Sequence, residues 1–165
     1  MIIVSNSSPL IILARLNRFD LLQSLFGEIH ISEEVHREVT QLGKGRPGAI
    51  RTQQATWIRV KAISDHGLQT QMSNSYNLGA GEISTIVLAK DLQADLALID
   101  ERKARLVAGL QGIPVLGSVG ILEMGHRKGL VPDLRMTYQE LERQGIRIDR
   151  RILNESLVKH NLPPL

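Results

Sequence analysis

Short apolar runs alternate with longer amphipathic segments along most of the chain. The runs are rich in Ile, Val and Leu and are typical of buried strands. They are "MIIVS" (1–5), "EIHIS" (28–32), "WIRVKAI" (57–63), "ADLALID" (94–100) and "IPVLG" (113–117). The segments between them repeat apolar residues at helical spacing, as at Leu10, Leu13 and Leu16. Strands that alternate with helices predict an α/β domain in which helices cover both faces of a parallel sheet.

Local signals mark several helix boundaries. Ser8 and Pro9 form a typical helix start at the head of an apolar stretch that runs to residue 27, and Ser32 is a candidate N-cap for a helix over 32–42. Further helices are predicted over 81–93, 101–112, 118–130, 132–145 and 149–160. The polar stretch 64–78 predicts a mobile loop that orders when a partner binds.

Length and composition narrow the class of protein. The 165 residues predict one domain, 1–165, with C-terminal helices from about residue 132. The absence of cysteine excludes disulfides, zinc–cysteine sites and thiol nucleophiles. No apolar run approaches a membrane span and no signal peptide is recognisable, so we expect a cytoplasmic protein with no membrane partner.

Charge gives a weaker indication. Residues 101–165 contain 11 Lys and Arg against 7 Asp and Glu, although the net charge of the chain is only +3. This excess is compatible with a polyanionic partner, but scattered surface charge explains it equally well.

Four polar residues are candidates for chemistry. Ligands of parallel sheets bind beyond the carboxyl ends of the strands, where the winding direction reverses. Asn6 follows the first strand, Asp100 ends the fourth, and Glu38 and Glu82 flank the apolar stripes of two helices. Each also has a structural explanation: Asn6 as a turn or cap, Glu38 in a surface ion pair, Glu82 at a helix dipole, and Asp100 as a helix cap.

Convergence of the four at one sheet edge would favour a bound cation. Carboxylates that gather without a cation repel one another. All the candidate ligands are oxygen atoms, and no pair of histidines has metal-ligand spacing, so the ion expected is hard, Mg²⁺ or Mn²⁺.

Five segments of the chain resemble PIN-domain proteins, specifically the small prokaryotic, VapC-like branch grouped as DUF3368. They are "VSNSSPLIILARLNRFDLL", "ISEEVHREV", "LGAGEISTIVLAKDL", "ALIDERKAR" and "GIPVLGSVGIL". The resemblance implies a three-layer α/β/α fold with a central parallel sheet of four to five strands. It also implies a metal-dependent ribonuclease of toxin–antitoxin type, with acidic residues around Mg²⁺ or Mn²⁺.

Carried over by residue, the resemblance assigns catalytic and metal-binding roles. The second, third and fourth acids of the family correspond to Glu38, Glu82 and Asp100, and Glu101 is a possible auxiliary ligand. The first acid corresponds to Asn6, where this chain departs from the family. An amide oxygen ligates a hard cation but brings no charge, which weakens metal binding and catalysis.

Partners also follow from the resemblance: an RNA substrate, a small antitoxin protein and a second copy of the chain in a homodimer. Arg102, Lys103 and Arg105 are candidate RNA-backbone contacts, although a solvated helix face explains them equally well. Aromatic residues make up only 3% of the chain, which argues against base stacking.

Two other functions remain open. A degenerate PIN domain, with Asn6 in place of an acid, would act as an RNA- or protein-binding module. A nucleotide-binding α/β domain is disfavoured, because "LGAGE" follows a polar segment and lacks the phosphate-loop lysine and the dinucleotide spacing.

Overall fold

The central sheet has five strands, all parallel. The computed structural model describes residues 1–165. The strands are β1 (Ile3–Ser5), β2 (Ile29–Ser32), β3 (Ile58–Lys61), β4 (Leu96–Leu98) and β5 (Val115–Leu116). Their order across the sheet is β3-β2-β1-β4-β5. This confirms the predicted α/β class with helices flanking a parallel sheet, and each predicted strand is present.

Ten α-helices and one π-helical turn complete the chain. They are α1 (Ser7–Arg15), α2 (Asp20–Phe26), α3 (Glu33–Arg37), the π-helical turn (Glu38–Leu42), α4 (Pro47–Gln54), α5 (His66–Ser75), α6 (Ala80–Asp91), α7 (Arg102–Leu110), α8 (Ser118–Arg127), α9 (Leu134–Arg143) and α10 (Arg150–Lys159). No helix is long and apolar enough to span a membrane.

The direction of winding reverses between β1 and β4. The chain passes from β1 outward through β2 to β3, and then returns to place β4 on the other side of β1. Val4 pairs with His30 on one side, and Ser5 pairs with Leu98 on the other. The crevice beyond the carboxyl ends of β1 and β4 is therefore the position at which such folds bind ligands.

Helix α6 forms the centre of the main hydrophobic core. Ile86, Val87 and Leu88 are fully buried together with Val4 of β1 and Ile99, which follows β4. A helix that is buried on nearly every side is expected between a sheet and a second layer of helices. Near its N-terminus, Ser84 hydrogen-bonds Ser32 at the carboxyl end of β2 at 2.7 Å, which places the start of α6 beside that edge of the sheet.

The predicted mobile loop at 64–78 is wrong, because most of it is helix α5. The Asp65 side chain caps this helix by accepting a hydrogen bond from the Leu68 backbone N–H at 2.9 Å. Leu68, Met72 and Tyr76 recur at helical spacing, and Met72 is 1% exposed in the core. The polar composition concealed one buried stripe on an amphipathic helix.

The stretch over 8–27 holds two helices, and it begins one residue earlier than predicted. Helix α1 starts at Ser7 with Asn6 in the N-cap position, so Ser8 is not the cap. Asn17 adopts a left-handed backbone (φ 55°), which asparagine tolerates better than most residues, and α1 ends before it. By contrast, the prediction that Ser32 caps α3 is confirmed, because its hydroxyl oxygen accepts a hydrogen bond from the Val35 N–H at 3.0 Å.

Two compact units divide the chain: 1–118, which contains the whole sheet, and 119–165. The second unit holds most of α8 together with α9 and α10. Within it, the buried Tyr138 of α9 hydrogen-bonds Ser156 of α10 at 2.6 Å. The predicted C-terminal helices are present as α9 and α10.

Candidate functional site

Asn6 and Asp100 lie at the point where the winding of the sheet reverses. Asn6 directly follows β1, and its backbone N–H donates to the carbonyl of Leu98 in β4 at 2.9 Å. Asp100 comes two residues after Leu98. The topology thus puts both candidates at the carboxyl edge of neighbouring strands, as the alternation of strands and helices predicts.

The side chain of Asn6 is buried with its oxygen unpaired. Asn6 is 4% exposed, and its Oδ1 accepts no hydrogen bond. Although Asn6 occupies the N-cap position of α1, the side chain makes no capping bond. Capping therefore does not explain this residue. An orphaned buried carbonyl oxygen is costly, and it is a suitable ligand for a cation.

Glu38 is fixed by donors from two other parts of the fold. It is the first residue of the π-helical turn, and such turns occur often at functional sites. Its Oε2 accepts from the Ser7 hydroxyl at 2.6 Å and its Oε1 from the Gly81 N–H at 3.1 Å. Glu38 forms no salt bridge, so the surface ion pair considered above does not explain it.

Gly81 is required by the position of Glu38. A Cβ at residue 81 would overlap the Glu38 carboxylate, with the Cδ only 2.7 Å away. The close approach lets Glu38 receive an N–H from the first turn of α6, where the helix dipole favours negative charge. Because Ser7 adjoins Asn6 and Gly81 adjoins Glu82, these two contacts connect three of the four candidate positions.

Glu82 caps its own helix. Its Oε2 accepts from the Gly79 N–H at 2.6 Å, the carboxylate half of a capping box at the start of α6. Glu82 therefore has a structural role at the N-terminus of α6, as a capping residue in addition to the helix-dipole role considered above. This does not exclude a second role, because a carboxylate oxygen that accepts one hydrogen bond retains a further lone pair.

Asp100 does not cap the helix that follows it, so that structural explanation is wrong. Its two oxygens accept from the backbone N–H and the hydroxyl of Ser118, each at 2.7 Å. The cap of α7 is instead Glu101, whose Oε2 accepts from the Ala104 N–H at 2.7 Å. Glu101 is otherwise exposed at the same edge.

The three basic candidates differ in their freedom. The Arg105 guanidinium donates to the Ile99 carbonyl at 3.0 Å and is partly buried. Lys103 donates to the Asn77 carbonyl at 3.3 Å, and Arg102 is exposed. Arg102 and Lys103 therefore remain candidates for an incoming phosphate, whereas Arg105 already supports the backbone next to Asp100.

No group of three or more His, Cys, Asp or Glu side chains has the arrangement of a metal site. Glu38, Glu82 and Asp100 are thus not brought together as a cluster of three carboxylates, and each accepts hydrogen bonds from N–H or hydroxyl donors. Of the four candidates, Asn6 alone has a buried side-chain oxygen without a donor. The chemistry of the set, one amide and three carboxylates, nevertheless fits a hard divalent cation.

The residues that position the acids at this edge were not predicted from the sequence. Ser7, Gly81 and Ser118 supply the donors that orient Glu38 and Asp100. A signal existed only for Ser7, which lies within the polar cluster "SNSS" behind the first strand. Gly81 and Ser118 pair with acids 43 and 18 residues away, a separation that no local pattern encodes.

Comparison with known families agrees with this topology. The model of the family described as DUF3368, PIN domain, matches residues 2–162. The chain therefore belongs to the PIN-domain family, a class of nucleases that generally depend on divalent metal ions. A search of curated proteins finds no match.

Proposed function

We propose that this chain is a divalent-metal-dependent ribonuclease that hydrolyses RNA phosphodiester bonds at the carboxyl edge of β1 and β4. The observation that supports it best is the buried Oδ1 of Asn6, which lacks a donor next to the Ser7–Glu38 contact. A folded protein retains such an unpaired group at a cost of about 1–3 kcal/mol, which a bound cation would offset.

The residues of this edge would divide the work of holding the ion. Asn6 would give a neutral oxygen and Asp100 and Glu82 charged ones, with Glu38 bound directly or through water. Glu101, exposed beside Asp100, would serve as an auxiliary ligand. Mg²⁺ or Mn²⁺ in this position would supply an activated water and would offset charge on the scissile phosphate.

The remaining residues would position the acids and the RNA. Ser7 and Gly81 orient Glu38, and Ser118 orients Asp100, so that neither carboxylate rotates freely.

Arg102 and Lys103 would contact the RNA backbone, and Arg105 would hold the carbonyl of Ile99 behind Asp100. With few aromatic residues, recognition of RNA would depend on shape and polar contacts.

We place the enzyme in the cytoplasm as a toxin, acting as a homodimer that a small antitoxin neutralises. This assignment rests on membership of the family and on the resemblance to its VapC-like branch. A small reading frame directly upstream whose product co-purifies with the chain would support it.

A second candidate function is that of a binding module without catalysis. The amide at position 6 favours it, since one of the four expected charges is missing. The structural bonds of Glu82 and Asp100 favour it too, because both acids have a role in an inactive protein.

RNA cleavage in Mg²⁺ or Mn²⁺ separates the two functions. The natural chain, Asp100→Ala, Glu38→Gln and Asn6→Asp are compared on a mixed-sequence RNA, with Glu33→Ala as a control that removes an exposed carboxylate of α3. We expect the natural chain and the control to cleave, Asp100→Ala and Glu38→Gln to lose activity about 10²-fold or more, and Asn6→Asp to cleave faster.

The opposing results are distinct. Cleavage that survives Asp100→Ala in a folded variant would remove the proposed site. If Asn6→Asp alone cleaves RNA, the natural chain is the binding module. Thermal unfolding of each variant shows whether a lost activity reflects a lost fold, because Asp100→Ala also leaves Ser118 unpaired.

A further inference from the structure

We propose that His126 and His160 form a second metal site, one that binds Zn²⁺ and lies wholly within the 119–165 unit. The two imidazole rings are 5.6 Å apart between centroids and are inclined at 78°. His126 lies in the last turn of α8, and His160 directly follows α10. The proposal is independent of the oxygen site at the sheet edge.

Backbone carbonyls fix the orientation of both rings. Nδ1 of His126 lies 2.8 Å from the carbonyl oxygen of Val131, and Nδ1 of His160 lies 2.8 Å from that of Ser156. A carbonyl only accepts, so Nδ1 carries the hydrogen in both rings. In the neutral ring, Nε2 then holds a free lone pair. An N–H donated to a backbone carbonyl from the ring nitrogen opposite the metal is the usual arrangement of a ligating histidine.

The separation of the rings fits two ligands of one ion. With a metal–nitrogen distance of about 2.0–2.1 Å and tetrahedral angles, the centroids of two ligating imidazoles lie about 5–6 Å apart. Both rings are partly exposed, so water can occupy the other two positions of a tetrahedral ion.

The surrounding residues make the pair rigid. Val131 is fully buried, and Ser156 is buried and bonded to Tyr138. The turn from His126 to Val131 is closed by the Gly129 N–H, which donates to the His126 carbonyl at 3.0 Å. Lys159, which precedes His160, pairs with Glu123 at 3.3 Å.

The chemistry of the ligands favours a borderline ion over a hard one. Two imidazole nitrogens suit a borderline ion such as Zn²⁺, whereas Mg²⁺ and Mn²⁺ prefer the oxygen ligands of the sheet edge. A bound Zn²⁺ would join the ends of α8 and α10 and stabilise the C-terminal helices by mass action.

Calorimetric titration of Zn²⁺ into the full chain, in buffer containing Mg²⁺, tests the proposal. The natural chain is compared with His126→Gln and His160→Gln. His66→Gln, which removes an exposed histidine of α5, is the control. We expect one equivalent of Zn²⁺ for the natural chain and the control, and affinity at least about tenfold weaker for each of the other two. Equal binding by all four chains, or no binding by the natural chain, would overturn the proposal.

A measurement on the natural chain alone gives a second readout that no unfolded variant can confuse. Nitrogen-15 NMR of the imidazoles should show the Nδ1–H tautomer for His126 and His160, and Zn²⁺ should shift both Nε2 signals. Finding the Nε2–H tautomer at either ring, or Nε2 signals that Zn²⁺ leaves unchanged, would contradict the site.

Asp100→Ala should bind Zn²⁺ like the natural chain, whatever its effect on RNA cleavage.

Discussion

At the scale of single residues, Asn6 is the least satisfied polar group of the sheet edge. Its backbone is fully used, since the N–H donates to Leu98 and the carbonyl accepts from the Ser5 hydroxyl at 2.9 Å. Its side-chain oxygen has no partner despite burial. A side chain chosen for stability alone would be apolar here or would complete the cap of α1.

Substitution of Asn6 should change stability and metal binding in opposite directions. Without metal, Asn6→Asp adds a buried negative charge near Glu38 and should lower the free energy of unfolding by at least about 1 kcal/mol. With Mn²⁺ the same change should raise affinity, because the new carboxylate attracts the cation. Urea unfolding with and without Mn²⁺ measures both effects.

Asn6→Ala is the matched control and should gain no stability from Mn²⁺ beyond that of the natural chain. An Asn6→Asp variant that Mn²⁺ stabilises no more than the natural chain would remove Asn6 from the site.

Ionisation of Tyr138 should make the folded chain less stable in alkali. The pKa of Tyr138 is raised to about 12, chiefly by burial and also by nearby Glu123, against the lowering effect of its hydrogen bond with Ser156. In the unfolded chain the phenol ionises near about 10. Between these two pH values, unfolding releases a proton from Tyr138. The contribution of Tyr138 to the free energy of unfolding is therefore complete below about pH 10, and it falls by about 2–3 kcal/mol as the pH rises to about 12.

Tyr138→Phe isolates this effect. The variant should be about 1 kcal/mol less stable near neutral pH, because Ser156 loses its partner. Its stability relative to the natural chain should then improve through the alkaline range. Urea unfolding at a series of pH values measures the difference between the two chains, and parallel curves would show that Tyr138 does not titrate as stated.

At the scale of secondary structure, the first turn of α6 depends on a glycine. Gly81→Ala should displace the Glu38 carboxylate and lower the free energy of unfolding by about 1–3 kcal/mol, even though alanine is the better helix former. Gly109→Ala in α7 is the matched control, because a Cβ there meets nothing within 4 Å. The control should gain about 0.5–1 kcal/mol. Equal effects of the two substitutions in chemical denaturation would show that Glu38 moves aside without cost.

The sequence predicted elements well where one signal dominated. All five strands followed from short segments rich in Ile, Val and Leu, and the Ser32 cap followed from a polar residue at the head of a helical stripe. Helix α5 was missed because its apolar residues are outnumbered by polar ones in "HGLQTQMSNS", and the break at Asn17 was missed because leucines continue on both sides of it.

At the scale of the whole chain, strand order decides which residues meet. The sequence located Asn6 and Asp100 at strand ends, but only the order β3-β2-β1-β4-β5 makes those two strands neighbours at the point of reversal. The bonds of Glu38 with Ser7 and Gly81 depend on the same long-range pairing. The histidine pair in 119–165 was likewise invisible, since its members are separated by 34 positions and meet only through helix packing.

Asn6, Glu38, Glu82 and Asp100 are proposed to bind one divalent cation at this edge. Paramagnetic broadening by Mn²⁺ tests it directly in the natural chain, followed by NMR of the backbone amides at substoichiometric metal. We expect the amide signals of Ser7, Gly81 and Ser118 to broaden first and together, and we expect Glu38→Gln to weaken the effect. Broadening that begins elsewhere, or that reaches these three amides only with the rest of the surface, would contradict it.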